Sequence, residues 1–303
     1  MTENKPSPEP AYGNRPLASG EVVAHGNGDA GLNIGRDGLE TIYDFINEHK
    51  KEPFMVWYAP FLPHTPHDAP EEFQELYRDN KNVPDYLKPY YANVSRFDRT
   101  IGDLMGFLEE TGLDENTIVI LMVDNGYRPD PGLDAEEAVN ARADKRSKLS
   151  PYENGVRTPV IIWWKDRIEH SLQTRLVQTV DLVPTVLDAA GLKDAIPGLP
   201  GISLLPSALG RKELPDRPAF GEIYPNDAMT LGHPSDYVKM RFVRYGDYKL
   251  IIPETDNYQG DPELYNLAND PEERNNLAGR PEFEAKVREL QVLADEWWKP
   301  GQD

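Results

Sequence analysis

Thr117-Ile118-Val119-Ile120-Leu121-Met122-Val123-Asp124-Asn125-Gly126 sets the reading of this chain. An unbroken run of β-branched and aliphatic residues ends abruptly in a carboxylate, an amide and a glycine. A strand covered on both faces reads this way, because neither face carries polar side chains until the strand leaves its sheet. The predicted element is a buried strand that delivers Asp124 and Asn125 to the carboxyl edge of a sheet, where open α/β folds bind ligands.

Upstream, Leu39, Ile42, Tyr43 and Ile46 share one helical face from Asp37 onward. Pro53 breaks that pattern, and Phe54–Ala59 reads as a second buried strand. It runs into Pro60–Pro70, where four prolines forbid regular structure and make a stiff loop that carries His64 and His67. A long helix follows, with Tyr90, Val94, Phe97, Ile101, Leu104 and Leu108 spaced by fours and threes and Gly112 at its C′ position. Strand, long crossover helix and strand favour a parallel sheet covered by helices.

Downstream lies an acidic, irregular insertion reaching about Ala143, and then a basic cluster, Lys145-Arg146-Ser147-Lys148. Pro159–Trp164 is a further strand, and Asp181 suits the N-cap of a helix through Ala190, with Pro184 in its first turn. Short strands at Ala219–Tyr224, Lys239–Arg244 and Tyr248–Ile252 follow, the last two joined by a Gly246-Asp247 hairpin turn. A helix from Pro281 buries Phe283, Val287, Leu290 and Trp297. The predicted organisation is an irregular tail (1–36), a partial α/β domain (37–192), a Pro/Gly-rich linker (193–218) and a C-terminal α+β subdomain (219–303).

Composition narrows the function. With 39% hydrophobic and 10% aromatic residues in 303, the chain has the makings of a large core. Its formal charge of −20 argues against nucleic acid, which requires a basic footprint, but a local cation cluster can still hold a small anion. No apolar run reaches the ~20 residues of a membrane span. No secretory signal is visible at the start of the chain, and the compartment stays open. The absence of cysteine removes disulfides, zinc–thiolate sites and a thiol nucleophile.

Three places could do chemistry. Asp124 and Asn125 offer adjacent oxygen donors for a hard dication, although Asn-Gly is also a common turn. His64, and less strongly His67, sit in a loop too proline-rich to drift, which suits a donor or general acid; an ordinary surface histidine fits as well. Lys148 is a point cation for a sulfate or phosphate oxygen, or part of a solvated basic face.

In their order along the chain these segments resemble the type I sulfatases of the alkaline-phosphatase-like superfamily. The carriers are Pro63-His64-Thr65-Pro66, Asp124-Asn125-Gly126, and Lys148 four residues before Tyr152-Glu153-Asn154-Gly155-Val156-Arg157. Asp181–Thr185 and Leu264-Tyr265-Asn266-Leu267, with Asp270-Pro271-Glu272 and Asn276-Leu277-Ala278, extend the match to about residues 37–298. The resemblance implies an α/β fold: an alkaline-phosphatase-like sheet, incomplete here, with helices on both faces. A small C-terminal antiparallel sheet packed with a terminal helix completes it. It also implies hydrolysis of a sulfate ester, on a sulfated small molecule or glycan. Asp124 and Asn125 would be calcium ligands, Lys148 would grip the sulfate, and His64 would protonate the leaving-group oxygen with His67 nearby in substrate binding.

The departures are equally specific. The family nucleophile is a formylglycine made from the first residue of Cys/Ser-x-Pro/Ala-x-Arg, and no such block occurs here. Ser207-Ala208-Leu209-Gly210-Arg211 comes nearest and has leucine at the third place. The expectation is therefore the C-terminal portion of a sulfatase, inactive alone, with a separate N-terminal fragment as a partner the reading allows. A non-catalytic sulfatase-like binding protein and a phosphodiesterase or phosphotransferase relative are the alternatives. Asn154 stands where the family has glycine, which predicts a left-handed residue there.

Overall fold

The computed structural model describes residues 33–64, 66–126, 146–224, 232–254 and 260–301, with the backbone of a two-residue pairing, Arg15–Pro16 with Val22–Val23. Of the predicted tail (1–36), residues 1–32 otherwise lie outside the described residues, as do residues 127–145, which hold the acidic insertion and Lys145. Contacts divide the chain into two units, Met1–Thr117 with Pro129–Ala143 and Ile118–Arg128 with Asp144–Asp303.

The described part of the first unit is helical. Leu39, the N-cap residue of α1 (Glu40–His49), and Ile42 and Ile46 within it are buried against Phe54, Val56, Tyr58, Leu104 and Phe107. Helix α3 (Lys88–Glu110) stacks Phe107 on Tyr43 with ring centroids 4.3 Å apart. Between them in sequence, α2 (Glu71–Arg78) buries Phe73 beside Ala92 of α3. Gly112 ends α3 as the spacing predicts: at φ +68° it takes a left-handed turn, and Leu113 N–H donates to Leu108 O at 2.9 Å. The expected strand at Phe54–Ala59 does not form. Its side chains alternate, with Phe54, Val56 and Tyr58 inward and Trp57 85% exposed, but no ladder joins it among the described residues. An apolar extended run is a strand only when a neighbour takes up its backbone groups.

In the second unit, β1 (Val119–Met122) pairs with β2 (Val160–Trp163) in antiparallel register, Val119 opposite Trp163. The parallel pairing expected from strand, crossover helix and strand concerned Phe54–Ala59 and this strand; among the described residues the two share no ladder, and the one pairing β1 makes is antiparallel. Both-face burial is corrected too: all four residues of β1 are half-buried and Ile161 of β2 is exposed, so among the described residues the faces of this pair are only partly covered by other layers. Among the described residues between β1 and β2 lies a one-turn helix, α4 (Glu153–Val156).

Helix α5 (Leu182–Ala189) starts after Asp181, but the aspartate side chain does not cap it. Fully buried, Asp181 instead accepts from Gln178 N (2.8 Å) and Ile202 N (3.0 Å) and pairs with Arg217. Thr185 accepts from Leu204 N at 2.8 Å, so the Pro/Gly-rich segment leading to α6 (Leu205–Ala208) is pinned to α5.

The chain then forms an antiparallel meander of β3 (Ala219–Ile223), β4 (Met240–Tyr245), β5 (Tyr248–Pro253) and β6 (Glu263–Asn266). Gly246-Asp247 closes the predicted two-residue hairpin, with Gly246 at φ +57°. Helix α7 (Glu284–Trp297) buries Leu290 and Ala294 against Val243, Leu250, Ile252 and Leu264. Its end is held by Arg241, which donates to Trp298 O (2.6 Å) and pairs with Asp295 (3.0 Å) and Glu254 (2.6 Å). Trp297 is not buried as expected: it is 38% exposed and stacks on Phe220 at 4.8 Å.

Candidate functional site

The candidate residues fall into two groups, one in each unit. In the first unit, His64 N–H donates to Phe61 O at 2.7 Å, and the rings of Phe61 and His64 meet edge-on at 6.1 Å. The loop is held from outside by polar side chains. Arg36 donates to His64 O (3.0 Å) and Pro66 O (3.1 Å) and pairs with Asp68 (3.1 Å). Arg96 donates to Arg36 O (2.6 Å) and also reaches Asp68 (3.3 Å), and buried Asn93 donates to Pro66 O (2.9 Å). Burial pushes the Arg96 guanidinium down from its usual range, and Asp68 opposes that shift. Thr65 itself lies outside the described residues. The His67 ring lies 5.6 Å from Tyr90.

In the second unit, Asp124 and Asn125 leave the end of β1. Asp124 is exposed and its Oδ1 accepts the backbone N–H of Asn125 at 2.8 Å, while Asn125 is half-buried. Gly126 N–H then donates to Gly155 O at 2.8 Å. A side chain at Gly126 would overlap the Asn154 carbonyl, so only glycine lets the strand exit lie against α4.

Lys148 rests on the same helix. Its turn buries Ser147 and Ser150, and Ser150 Oγ donates to Ser147 O at 2.5 Å. A Cβ on Gly155 would lie 2.5 Å from the carbonyl oxygens of both serines. Helix α4 thus carries the Asp124-Asn125 exit and the Lys148 turn together, through Gly155. Within the turn, Leu149 is left-handed at φ +72°, an unfavourable conformation for a bulky residue. Asn154, expected to be left-handed, lies inside α4 and takes helical backbone; the strained position is Leu149 instead. Lys148 is half-buried and pairs with no carboxylate among the described residues, in a chain of charge −20. An unpaired, partly desolvated ammonium is suited to an external anion.

Helix α4 is anchored by charges that sequence reasoning did not single out. Glu153 Oε1 lies 3.1 Å from Lys249 Nζ, and its Oε2 lies 2.7 Å from Arg244 Nη1. Lys249 also pairs with Glu273 at 3.1 Å, and Glu273 accepts from Glu153 N at 2.6 Å. Lys249 is 0% exposed. Burial pushes the Glu273 carboxyl up, and Lys249 opposes it. The available signal was Lys249 itself, a lone charge in the apolar run Tyr248–Pro253. Beside this cluster, Tyr152 donates to Glu263 at 2.9 Å and lies under the Arg146 guanidinium at 4.9 Å. Burial, together with that bond, pushes the Tyr152 phenol up to about 12.

Asp124 and Asn125 fit a calcium ion in donor chemistry, since both offer hard oxygen. They are two donors where the ion takes about six to eight, and the described residues hold no cluster of three or more His, Asp or Glu that could complete the set.

The described residues make a mixed α/β fold of helices and small antiparallel sheets, in which one short helix seats both the Lys148 turn and the Asp124-Asn125 exit. Comparison with known proteins gives the family. The Sulfatase family profile matches residues 35–192, and that of the "N-sulphoglucosamine sulphohydrolase, C-terminal" family matches residues 143–297. The chain belongs to the sulfatase family. It is 28% identical over 223 residues to the uncharacterized sulfatase YdeN of Escherichia coli, covering 72% of this chain and 37% of that protein. A structure from a Bacteroides thetaiotaomicron glycosaminoglycan-metabolism locus superposes with a TM-score of 0.69 at 22% identity, over 92% of this chain and 61% of the other. Another, holding its substrate D-glucosamine-2-N,6-O-disulfate, gives a TM-score of 0.58 at 26% identity, over 76% and 46%. The chain spans 37% to 53% of the length of the curated relatives YdeN, a Bacteroides endo-4-O-sulfatase and human arylsulfatase A.

Proposed function

We propose that this chain supplies the sulfate-holding portion of a sulfuric ester hydrolase acting on a sulfated small molecule or glycan. The observation that carries the reading is the seating of the Lys148 turn and the Asp124-Asn125 exit on α4, through Gly155. In this reading Lys148 neutralises charge on the sulfuryl oxygens of a bound sulfate ester, and would do so most strongly when a nucleophile supplied by another segment attacks sulfur and the bridging S–O bond lengthens. His64 would be the proton donor to the leaving oxygen in the completed enzyme, by its likeness to the family's Pro-His-x-Pro block, and the Arg36, Asn93 and Arg96 contacts keep its loop in place. Asp124 and Asn125 would hold calcium, which when bound polarises a sulfuryl oxygen. Residues 37–192 then form the catalytic α/β portion and 219–303 the supporting subdomain.

The chemistry stops short of turnover. The 303 residues contain no cysteine and no Ser-x-Pro/Ala-x-Arg block, so they do not fit a formylglycine and no step is assigned to one. The chain alone binds a sulfated anion, and a separate polypeptide bearing the nucleophile block would be the partner that completes it. Two measurements test this on the pure chain. With 4-nitrophenyl sulfate no steady release of nitrophenol is expected; sustained turnover overturns the inactivity. Titration with inorganic sulfate should show saturable binding that Lys148→Gln abolishes. Binding indifferent to that substitution removes Lys148 from the site.

A further inference from the structure

We propose that Lys249 and Glu273 are positioning residues for Lys148, acting from the C-terminal sheet through α4. The inference rests on the sulfate-binding reading for its purpose, but the contacts stand without it. Lys249 lies on the face of β5 opposite α7, alongside Ile251, which packs with Tyr265, Leu267 and Tyr152. Its ammonium sits between Glu153 and Glu273 at 3.1 Å from each, and 5.1 Å from the Phe242 ring centroid.

Glu273 accepts the N–H of Glu153, the first residue of α4, at 2.6 Å. It does so from a left-handed backbone, φ +54°, that a glutamate adopts only when its surroundings hold it there. The holding contacts come from Asp270, whose main-chain oxygen accepts from Glu273 N (3.1 Å) and whose carboxylate accepts from Arg274 N (3.0 Å) and Asn275 N (2.8 Å). The same loop also touches the lysine turn: Arg146 donates to Glu272 O at 3.2 Å. One loop, 270–275, therefore meets both the start of α4 and the residue two places before Lys148. A buried ion pair adds little net stability compared with an apolar equivalent, but it fixes one arrangement of the groups it joins. Here the group fixed is the platform under Lys148.

The test uses the full chain, 15N-labelled, and reads the amide signals of Ser147, Lys148, Leu149 and Gly126 with and without inorganic sulfate. Glu273→Ala, which removes the acceptor for Glu153 N–H, should shift these signals and weaken sulfate binding about tenfold or more. Glu273→Gln keeps an acceptor and should restore both, whereas a role in stability alone would move neither the turn signals nor the affinity. Unchanged signals in a cooperatively folded Glu273→Ala protein overturn the proposal. If that variant fails to fold, Lys249→Met decides: it removes the cation that joins Glu153 to Glu273 and should shift the turn signals, and unmoved turn signals in that variant overturn the proposal. Failure of sulfate to bind the wild-type chain would overturn the sulfate reading alone, because the amide shifts still decide the positioning.

Discussion

Gly126 donates its backbone N–H to the carbonyl of Gly155 at 2.8 Å, and neither residue has room for a side chain. This contact joins the strand exit bearing Asp124 and Asn125 to the helix under Lys148. Adding a methyl at Gly155 forces the Ser147–Ser150 turn away. Gly155→Ala should therefore destabilise the chain by about 1–3 kcal/mol, the range for overpacking a filled site. A urea midpoint shifted down with an unchanged slope would check it; an unshifted midpoint would mean that the turn moves at no cost.

Removing Lys249 leaves Glu153 and Glu273 facing each other in the interior. Lys249→Ala is expected to cost about 3–5 kcal/mol, as for breaking one side of a buried ion pair. Adding Glu273→Gln in the same chain should recover part of that loss, since one uncompensated carboxylate is gone. Equilibrium denaturation of the single and double variants measures the coupling, and strictly additive losses would exclude it.

Alkaline pH reports on Tyr152. Burial and the bond to Glu263 raise its phenol to about 12 in the fold, above an ordinary tyrosine near 10. The folded state thus keeps a proton that the unfolded state loses, so this contribution is whole below about pH 10 and is lost as pH rises toward 12. Ultraviolet difference titration should find a tyrosine ionising about two pH units late, and Tyr152→Phe should remove that late step. If every tyrosine that ionises near pH 12 persists in the variant, the assignment to Tyr152 fails.

The His64 loop depends on Arg36, which spans two carbonyls and a carboxylate with a side chain only 6% exposed. Arg36→Met should cost about 1.5–3 kcal/mol, as for hydrogen bonds made by a charged donor. It should also admit proteases to the 60–70 loop. Arg36→Lys should rescue little, because a lysine cannot reproduce the planar fork. Limited proteolysis mapped by mass spectrometry reads the outcome, and an unchanged cleavage pattern would count against the clamp.

Local features of this fold were legible in the sequence where local chemistry decides them. The period of Leu39, Ile42 and Ile46, the left-handed Gly112 and the Gly246-Asp247 turn all depend on neighbours within one or two turns of chain. Phe54–Ala59 was not, because a strand is made by whatever pairs with it, and an apolar run cannot announce its partner. The antiparallel pairing of β1 with β2 was hidden for the same reason. Asp181 stands at a helix start yet spends its carboxylate on Ile202 and Arg217, which only the tertiary structure brings near. Asp124, Asn125, His64 and Lys148 stood out as candidates by residue type, and only their order along the chain, through the resemblance to sulfatases, gave them roles. The groups that hold their loops, Arg36, Asn93, Glu153, Lys249 and Glu273, come from distant sequence and showed only as isolated oddities such as a lysine in an apolar strand.

Strand β5 is flanked by β4 and β6 and covered on one face by α7 and on the other by the Ile251–Tyr265 cluster. Its amides can meet solvent only when the whole meander opens, so in heavy water they should be among the last to take up deuterium. Lys249 sits in that strand and ties Glu153 to it. The amides of α4, a single turn too short to protect itself, should then exchange at the slow pace of the sheet rather than at the pace of a loop. The turn that carries Lys148 thus borrows its persistence from the sheet beneath α4.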